Sequence, residues 1–311
     1  MKIIFMGTPG FAVPTLEILY NAGYDLVGVV TAVDKYGGRG RKTLIESDVK
    51  KYAVSKGLTL FQPKNLKSPK FNAKLKALGA DIQIVVAFRM LPEMVWNMPP
   101  LGTYNLHGSL LPRYRGAAPI NWAIINGEKT TGVTSFKLKH EIDTGNILLQ
   151  KEVRIYEDDT AGDLHDRMMW IAADTILESI RLIEEDELSL INQNDDLASH
   201  APKLHKENTY INFDNTAQAV YNMVRGLYPY PTAWCHIDGT KTKIKSCIPL
   251  QDNHTHKSGT ILTDQKSKIL IATTDGYLDI TELQLSGKRS MAPRELLNGY
   301  NIKEAIDLDS V

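Results

Sequence analysis

A length of 311 residues exceeds the usual size of one domain and favours two hydrophobic cores. Hydrophobic residues make up 43% of the chain and charged residues 23%, which excludes an intrinsically disordered protein. Because 36 lysines and arginines balance 36 aspartates and glutamates, no net charge draws the whole protein to nucleic acid or to a membrane, and an anionic partner must meet a local basic patch.

The apolar run at the N-terminus ends at Gly7-Thr8-Pro9. It is too short to form the core of a signal peptide or to span a bilayer, so a cytoplasmic protein without a membrane partner is predicted. The two cysteines flank a hairpin signal, Asp238-Gly239, that would place Cys235 opposite residue 242. Cys247 is then out of register with Cys235, and no disulfide is expected, in agreement with a reducing compartment.

Short apolar runs alternate with segments of helical spacing in the first part of the chain. Strands are predicted at residues 2–6, 26–33, 58–61 and 82–88, and helices at residues 13–19, 47–57 and 68–79. Strands that alternate with helices and are apolar on both faces predict a Rossmann-like α/β domain, in which helices cover both faces of a parallel sheet. Ligands bind such sheets at the carboxyl ends of the strands.

The later part of the chain has a different pattern. A long helix is predicted from Thr160 to Glu185, and the polar, turn-rich segment after it is predicted to be a linker. After a helix at residues 215–225, short strands separated by turn pairs such as Asp275-Gly276 predict a small, mostly-β barrel of the oligonucleotide-binding type. The predicted organisation is an α/β domain at 1–189, a linker at 190–206 and a β-barrel domain at 207–311.

Two polar residues, Asn105 and His107, stand at the end of the strand that follows residue 100. Asp143 precedes Thr144-Gly145, a turn signal between two strands, from which a carboxylate can project into a cleft. A carboxylate beside an imidazole stabilises its protonated form and fixes the ring tautomer, and an amide adds a second hydrogen-bond donor for a developing oxyanion. Spacing alone leaves open whether these side chains merely satisfy backbone groups, because it establishes no contact between residues 107 and 143.

Three stretches of the chain together resemble the signature of the methionyl-tRNA formyltransferase family, whose members use 10-formyltetrahydrofolate. They are NLHGSLLP at 105–112, RGAAPINW at 115–122 and DTG at 143–145. The similarity extends over nearly the whole chain, through MGTPGFAVPTLEIL at 6–19, GRGRK at 38–42, FQP at 61–63 and GLYPYPTAW at 226–234.

The resemblance implies that Asn105, His107 and Asp143 are catalytic. The α-amine of methionine on the initiator tRNA would attack the formyl carbon of the folate co-substrate. Asn105 and His107 would stabilise the oxyanion, while Asp143 would support His107 and help to move protons from the amine to the departing N10. No metal ion is implied.

The resemblance also implies two folate-binding segments. One consists of Phe88, Arg89, Met90 and Leu91, which would line the pterin pocket; the other is the loop of Ser109, Leu110, Leu111 and Pro112. The chain departs from the usual pattern of the family in two places. Arg89-Met90-Leu91 stands where Gly-Leu-Ile is usual, and Gly108 stands where Ala is more frequent.

The glycine-rich basic segment at residues 34–42 is predicted to be a mobile loop. The resemblance implies that Arg39, Arg41 and Lys42 in this loop contact the acceptor stem of the tRNA; the alternative is a solvated surface loop. Lysines alternate on one strand of the second domain and share one face, which could contact tRNA or keep an edge strand soluble. They are Lys241, Lys243 and Lys245.

Other functions remain open on the sequence alone. Formyl transfer to an amino-sugar nucleotide would use the same three catalytic residues, although the basic loop argues for RNA. The β/α alternation would also suit a nicotinamide-dependent dehydrogenase, but the G-x-G-x-x-G spacing is missing. A barrel of this type also suits a non-catalytic RNA-binding protein. A monomer is expected, and the sequence leaves open whether Arg113 and Arg115 shape the folate loop or face the tRNA.

Overall fold

A computed structural model describes residues 1–38, 40 and 42–308. The chain divides into two compact units. The first consists of residues 1–119, 130–154 and 165–200, and the second of residues 120–129, 155–164 and the described residues from 201 onward. The predicted domain limits at 1–189, 190–206 and 207–311 stay a prediction.

The first unit is built on a sheet of seven strands within the described residues. Its strands are β1 (Lys2–Gly7), β2 (Asp25–Val30), β5 (Leu60–Phe61), β6 (Ile82–Val86), β7 (Thr103–His107), β9 (Thr130–Lys137) and β10 (Ile147–Arg154). They are arranged in the order β10-β9-β7-β6-β1-β2-β5. The strands β7, β6, β1, β2 and β5 run parallel, as predicted, whereas β9 and β10 extend the sheet in antiparallel pairs beside β7. The predicted α/β fold class is confirmed.

Four helices lie where the sequence predicts them: α1 (Val13–Asn21), α2 (Asp48–Ser55), α3 (Pro69–Ala77) and α6 (Ala161–Glu184). Two further helices, α4 (Glu93–Trp96) and α5 (Pro119–Ile125), were not predicted. The hydroxyl of Ser47 accepts a hydrogen bond from the backbone amide of Lys50 and so caps α2. At the start of α6, the Thr160 hydroxyl accepts from the Asp163 amide while the Asp163 carboxylate accepts from the Thr160 amide, so the long helix begins where its cap predicts.

Two short strands flank the middle of the basic segment predicted as a mobile loop. They are β3 (Lys35–Gly37), within the segment, and β4 (Thr43–Ile45), directly after it, and they pair in antiparallel register as what we call the basic hairpin. Most of their side chains are exposed, including the ring of Tyr36. Further along the chain, β8 (Arg115–Gly116) and β11 (His200–Ala201) are strands of only two residues.

The second unit contains a sheet of six strands within the described residues. Its strands are β12 (Ala233–Ile237), β13 (Thr240–Gln251), β14 (Ile261–Thr263), β15 (Ile269–Ala272), β16 (Gly276–Leu285) and β17 (Ile306–Asp307), with helices α7 (Ala217–Gly226) and α8 (Pro293–Leu297). One apolar cluster joins α7, α8 and the inner faces of these strands. The predicted mostly-β character of this part of the chain is confirmed.

The hairpin formed by β12 and β13 has the predicted register, with Cys235 opposite Thr242. Cys235 and Cys247 are both free and buried. Burial raises the pKa of each thiol to about 12. Among the described residues, no helix is both long and apolar enough to cross a membrane.

Candidate active site

The candidate site begins at the end of β7, between β6 and β9. Asn105 pairs with Val85 of β6 and Phe136 of β9, and His107 pairs with Thr134 of β9. Residues two apart on a strand point to the same face of the sheet, so the side chains of Asn105 and His107 project together, with their Cα atoms roughly 6.6 Å apart. His107 is only 6% exposed. The strand therefore presents an amide and a buried imidazole side by side.

Two contacts fix the imidazole of His107. Its Nε2 lies 2.8 Å from the carbonyl oxygen of Tyr114. Because a carbonyl oxygen only accepts hydrogen bonds, Nε2 carries the proton and donates it to Tyr114. The other ring nitrogen, Nδ1, lies 3.9 Å from Oδ2 of Asp143, which is within ion-pair range but outside hydrogen-bond range. The structure thus brings together His107 and Asp143, whose contact the spacing in sequence could not establish.

Asp143 lies in the connection between β9 and β10. Its φ of +54° is in the left-handed region, which Asp adopts more readily than most residues. Its Oδ2 accepts a hydrogen bond of 2.9 Å from the backbone amide of Gly116. The carboxylate is therefore held between the Gly116 amide on one side and the His107 imidazole on the other.

Gly145 fits this connection closely against β9. A Cβ atom at this position would lie 1.8 Å from the carbonyl oxygen of Lys137, a distance that requires the backbone to move. The turn that carries Asp143 is thus packed directly on the end of β9, and only glycine allows that approach.

The predicted folate loop, Ser109 to Pro112, is held by polar side chains of β9 and β10. The hydroxyl of Thr134 donates to the carbonyl oxygen of Ser109 at 2.6 Å and accepts from the amide of Leu111 at 3.1 Å. Gln150 donates to the Thr134 hydroxyl and to the Leu111 carbonyl, both at 2.9 Å. These bonds use the full hydrogen-bonding capacity of the hydroxyl, so the loop is fixed at both its amide and its carbonyl groups.

The other predicted folate segment places its four side chains in different surroundings. Phe88 packs against the apolar core of the first unit and Leu91 lies within it. The guanidinium of Arg89 donates to the backbone carbonyls of Pro63 and Lys64. Met90 is 74% exposed. The arginine that departs from the family pattern is therefore bound to the neighbouring FQP segment.

The ends of the basic hairpin are joined by one lysine of α2. Lys50 Nζ contacts the carboxylates of Asp34, just before β3, and Glu46, just after β4. The hydrogen bond from Lys50 holds the pKa of the Asp34 carboxyl below its ordinary value. Lys42 is exposed. Arg39 and Arg41, the other residues predicted to contact tRNA, lie outside the described residues.

Several residues of the site were missed in the sequence. Thr134 and Gln150 hold the predicted folate loop, and Ser199 binds the amides of Tyr114 and Arg115 through its hydroxyl and its carbonyl. Ser199 falls in the segment predicted as a linker, where a polar residue carries no signal of such a contact. Within the part of the chain that the structure describes, no group of three or more His, Cys, Asp or Glu residues is arranged to hold a metal ion.

Comparison with protein families gives two matches. Residues 1–180 match the family model described as formyl transferase, and residues 203–301 match the model described as formyl transferase, C-terminal domain. A methionyl-tRNA formyltransferase of Flavobacterium johnsoniae is 47% identical over 98% of both chains. A methionyl-tRNA formyltransferase of Bacteroides fragilis is 44% identical over 100% of this chain and 98% of its own.

Solved structures show the same fold at lower identity. A sugar 3N-formyl transferase crystallised with dTDP and 5-N-formyl-THF superposes with a TM-score of 0.66 at 21% identity, over 93% of this chain and 99% of its own. A methionyl-tRNA formyltransferase from Clostridium thermocellum superposes with a TM-score of 0.55 at 16% identity, over 80% of this chain and 93% of its own.

The close packing of Gly145 predicts a specific loss of stability. Replacement of Gly145 by Ala should lower the free energy of unfolding by about 1–3 kcal/mol, because the added methyl group displaces the Asp143 turn from β9. The matched control is Gly299→Ala, since a Cβ at position 299 meets nothing within 4 Å. Urea denaturation measures both variants, and equal stability of the two would contradict the packing argument.

Proposed function

The chain belongs to the methionyl-tRNA formyltransferase family, and on that premise we propose that Asn105, His107 and Asp143 perform its chemistry. Membership rests on the two family models and on relatives that are 43–47% identical over nearly the full length, and it confirms the resemblance found in the sequence. The enzyme transfers the formyl group of 10-formyltetrahydrofolate to the α-amine of methionyl-initiator tRNA, giving N-formylmethionyl-tRNA for translation initiation. The pairing of His107 Nδ1 with Asp143 carries the assignment of the three residues.

In the proposed mechanism, His107 acts through Nδ1. The Tyr114 carbonyl engages Nε2, so Nδ1, which faces Asp143, is the ring nitrogen that exchanges a proton, and it donates to the oxyanion once it has been protonated. The Asn105 amide projects from the same face of β7 and supplies a second donor to the oxyanion. Two fixed donors at this point lower the barrier because they stabilise charge that develops only in the transition state.

Asp143 has the role of moving protons. As the amine nitrogen bonds to the formyl carbon, it must lose a proton, and N10 must gain one as its bond to that carbon breaks. The Asp143 carboxylate, kept in place by the Gly116 amide, can stabilise the imidazolium form of His107 and receive the proton of the amine. The proton that leaves the amine and the one that reaches N10 balance, so the pair returns to its starting state.

Folate binding by the two predicted segments is supported by their chemistry. 10-Formyltetrahydrofolate supplies the formyl carbon together with a tetrahydropterin ring system that carries both hydrogen-bond donors and acceptors. The loop at 109–112 is fixed by its hydrogen bonds with Thr134 and Gln150, so it presents a defined surface to a ligand. Phe88 and Leu91 offer apolar surface after β6. We assign Phe88, Arg89, Met90, Leu91 and Ser109 to Pro112 to this role.

The amine that accepts the formyl group is that of methionyl-tRNA. The sugar formyltransferases among the solved structures are 21–22% identical to this chain and support the fold alone, whereas the relatives at 43–47% identity are methionyl-tRNA formyltransferases. A side-by-side assay separates the two substrates: the enzyme should formylate methionine-charged initiator tRNA and leave an amino-sugar nucleotide unchanged.

Contact with the tRNA is assigned to the basic hairpin. Its base is joined to α2 by Lys50, and its exposed Lys42, together with Arg39 and Arg41, suits phosphates and unpaired bases. In the second unit, Lys241 lies 4.2 Å from the ring centroid of Trp234 on the same sheet as Lys243 and Lys245, which supports a second RNA-contacting surface. We further propose that the enzyme acts as a monomer in the cytoplasm, because one chain carries both the folate and the tRNA surfaces and its RNA substrate serves translation.

Loss of the His107 imidazole or of the Asp143 carboxylate should strongly lower the turnover number. His107→Ala and Asp143→Asn are expected to lower kcat by about 10²–10⁴-fold, the usual contribution of a positioned proton-transfer group. Incubation with 10-formyltetrahydrofolate and methionine-charged initiator tRNA, followed by detection of formyl-methionine, measures the effect. The exposed His205 provides a control, since His205→Ala should keep the wild-type kcat. Wild-type turnover in both active-site variants would refute the assignment.

The assignment of the basic hairpin predicts that its cations affect the affinity for tRNA, and the salt dependence of that affinity, but not the affinity for folate. Arg39→Ala or Lys42→Ala should weaken tRNA binding and reduce the slope of log K against log salt concentration by about 0.7–0.9 for each phosphate contact that is lost. Folate affinity should not change. Lys67→Ala, which removes an exposed lysine outside the hairpin, serves as the control. Binding titrations at several salt concentrations measure the slope, and unchanged slopes in both hairpin variants would rule out phosphate contacts there.

A further inference from the structure

Gln193 makes four hydrogen bonds with its side-chain amide. Its Nε2 donates to the carbonyl oxygens of Asp143 and Gly145, each at 2.8 Å. Its Oε1 accepts from Nε of Arg115 at 3.0 Å and from an Nη of the same guanidinium at 2.7 Å. Both hydrogens and both lone pairs of the amide are therefore used. In the reverse orientation, the amide oxygen would face two carbonyl oxygens and the NH₂ group would face a guanidinium. These contacts therefore determine the positions of Oε1 and Nε2.

The partners of Gln193 are the two sides of the candidate active site. Asp143 and Gly145 belong to the turn that carries the catalytic carboxylate. Arg115 directly precedes Gly116, whose amide binds that carboxylate. The two-residue strand β8 is thus connected to the Asp143 turn twice, once by a direct hydrogen bond from Gly116 and once through Gln193.

Arg115 is itself held on its far side. It forms an ion pair with Asp195 at 2.7 Å, and its side chain is 11% exposed. Its fork of donors is therefore directed at Gln193 and Asp195, both on the segment after α6. For Arg115, this placement favours the first of the two roles that the sequence left open, because its guanidinium contacts the Gln193 amide that binds the Asp143 turn.

We propose that Gln193 is a positioning residue for formyl transfer, which sets the distance between Asp143 and His107 by holding the backbone of the Asp143 turn. Arg115 orients the Gln193 amide for this task. The inference rests on the proposed function of Asp143. The carbonyls of residues 143 and 145 lie outside the paired strands, and the turn itself has a left-handed residue at 143, so an external donor is needed to define where the carboxylate lies.

Three variants test this role in the full-length enzyme. Gln193→Leu removes both donors and the acceptor at similar size. Gln193→Glu keeps an acceptor for Arg115 and replaces the donor by an oxygen that faces two carbonyls. Arg115→Lys keeps the charge and loses the fork that orients the amide. The matched control is Asn72→Leu, because the half-buried Asn72 also bridges two backbone carbonyls of the first unit, those of Leu66 and Ser68.

We expect Gln193→Leu and Gln193→Glu to lower kcat by about 10- to 100-fold, the effect of a misplacement on the order of 1 Å, with KM for both substrates near the wild-type value. The pH profile of kcat should change shape in both, because it reports proton transfer by the pair that the turn positions. Arg115→Lys should give a smaller loss in the same direction. Asn72→Leu should lower the melting temperature to a similar extent and leave kcat and its pH profile unchanged.

A merely structural role gives a different pattern. The inference is overturned if Gln193→Leu and Gln193→Glu lose no more kcat than Asn72→Leu at a comparable melting temperature, or if they keep the wild-type pH profile. In that case, formyl transfer by the wild-type enzyme still supports the proposed function. If Gln193→Leu does not fold, Gln193→Glu and Arg115→Lys decide the question by the same readouts. Absence of formyl transfer by the wild-type enzyme would instead refute the proposed function, and this inference with it.

Discussion

The hydrogen bond from His107 to the Tyr114 carbonyl is the constraint on which the candidate site depends. The imidazole is buried, so it cannot rotate without leaving Nε2 unpaired, and an unpaired buried polar group costs about 1–3 kcal/mol. With Nε2 engaged, the chemistry of the ring is confined to Nδ1. The other contacts of the site hold the Asp143 carboxylate close to this nitrogen.

The antiparallel part of the sheet meets this requirement. Lys137 at the end of β9 pairs with Tyr104, three residues before His107 on β7, so the connection to β10 must fold back along the sheet for Asp143 to reach the imidazole. Gly145 allows that course by its close approach to β9, and Gly116 and Gln193 hold the turn from the other side. The same two strands supply Thr134 and Gln150 to the predicted folate loop. A purely parallel sheet would offer none of these contacts beside β7.

The sequence predicts this fold well where local signals act. Apolar runs place the strands of the sheet, and Ser47 and Thr160 mark the starts of their helices as caps. The proposed catalytic residues were predicted through a family signature, because Asp143 lies far from Asn105 and His107 in sequence. The β3–β4 hairpin was not predicted, since its glycines and charged residues are typical of irregular loops, and the contacts of Lys50 with the carboxylates at its two ends leave no signal in the sequence.

Gln193 shows why the rest could not be predicted. A glutamine in a polar, turn-rich segment has no periodic apolar neighbour to reveal its contacts, and its role arises only when the chain after α6 returns to the Asp143 turn.

Two cations near the site, Arg115 and Lys50, are paired with carboxylates. Because Arg115 is neutralised by Asp195 and Lys50 by Asp34 and Glu46, these two cations stabilise local structure. In a chain without net charge, a field that attracts tRNA must come from cations that project from the surface, such as the exposed Lys42. Under the proposed function, the residues that bind RNA and those that position the chemistry are then separate sets.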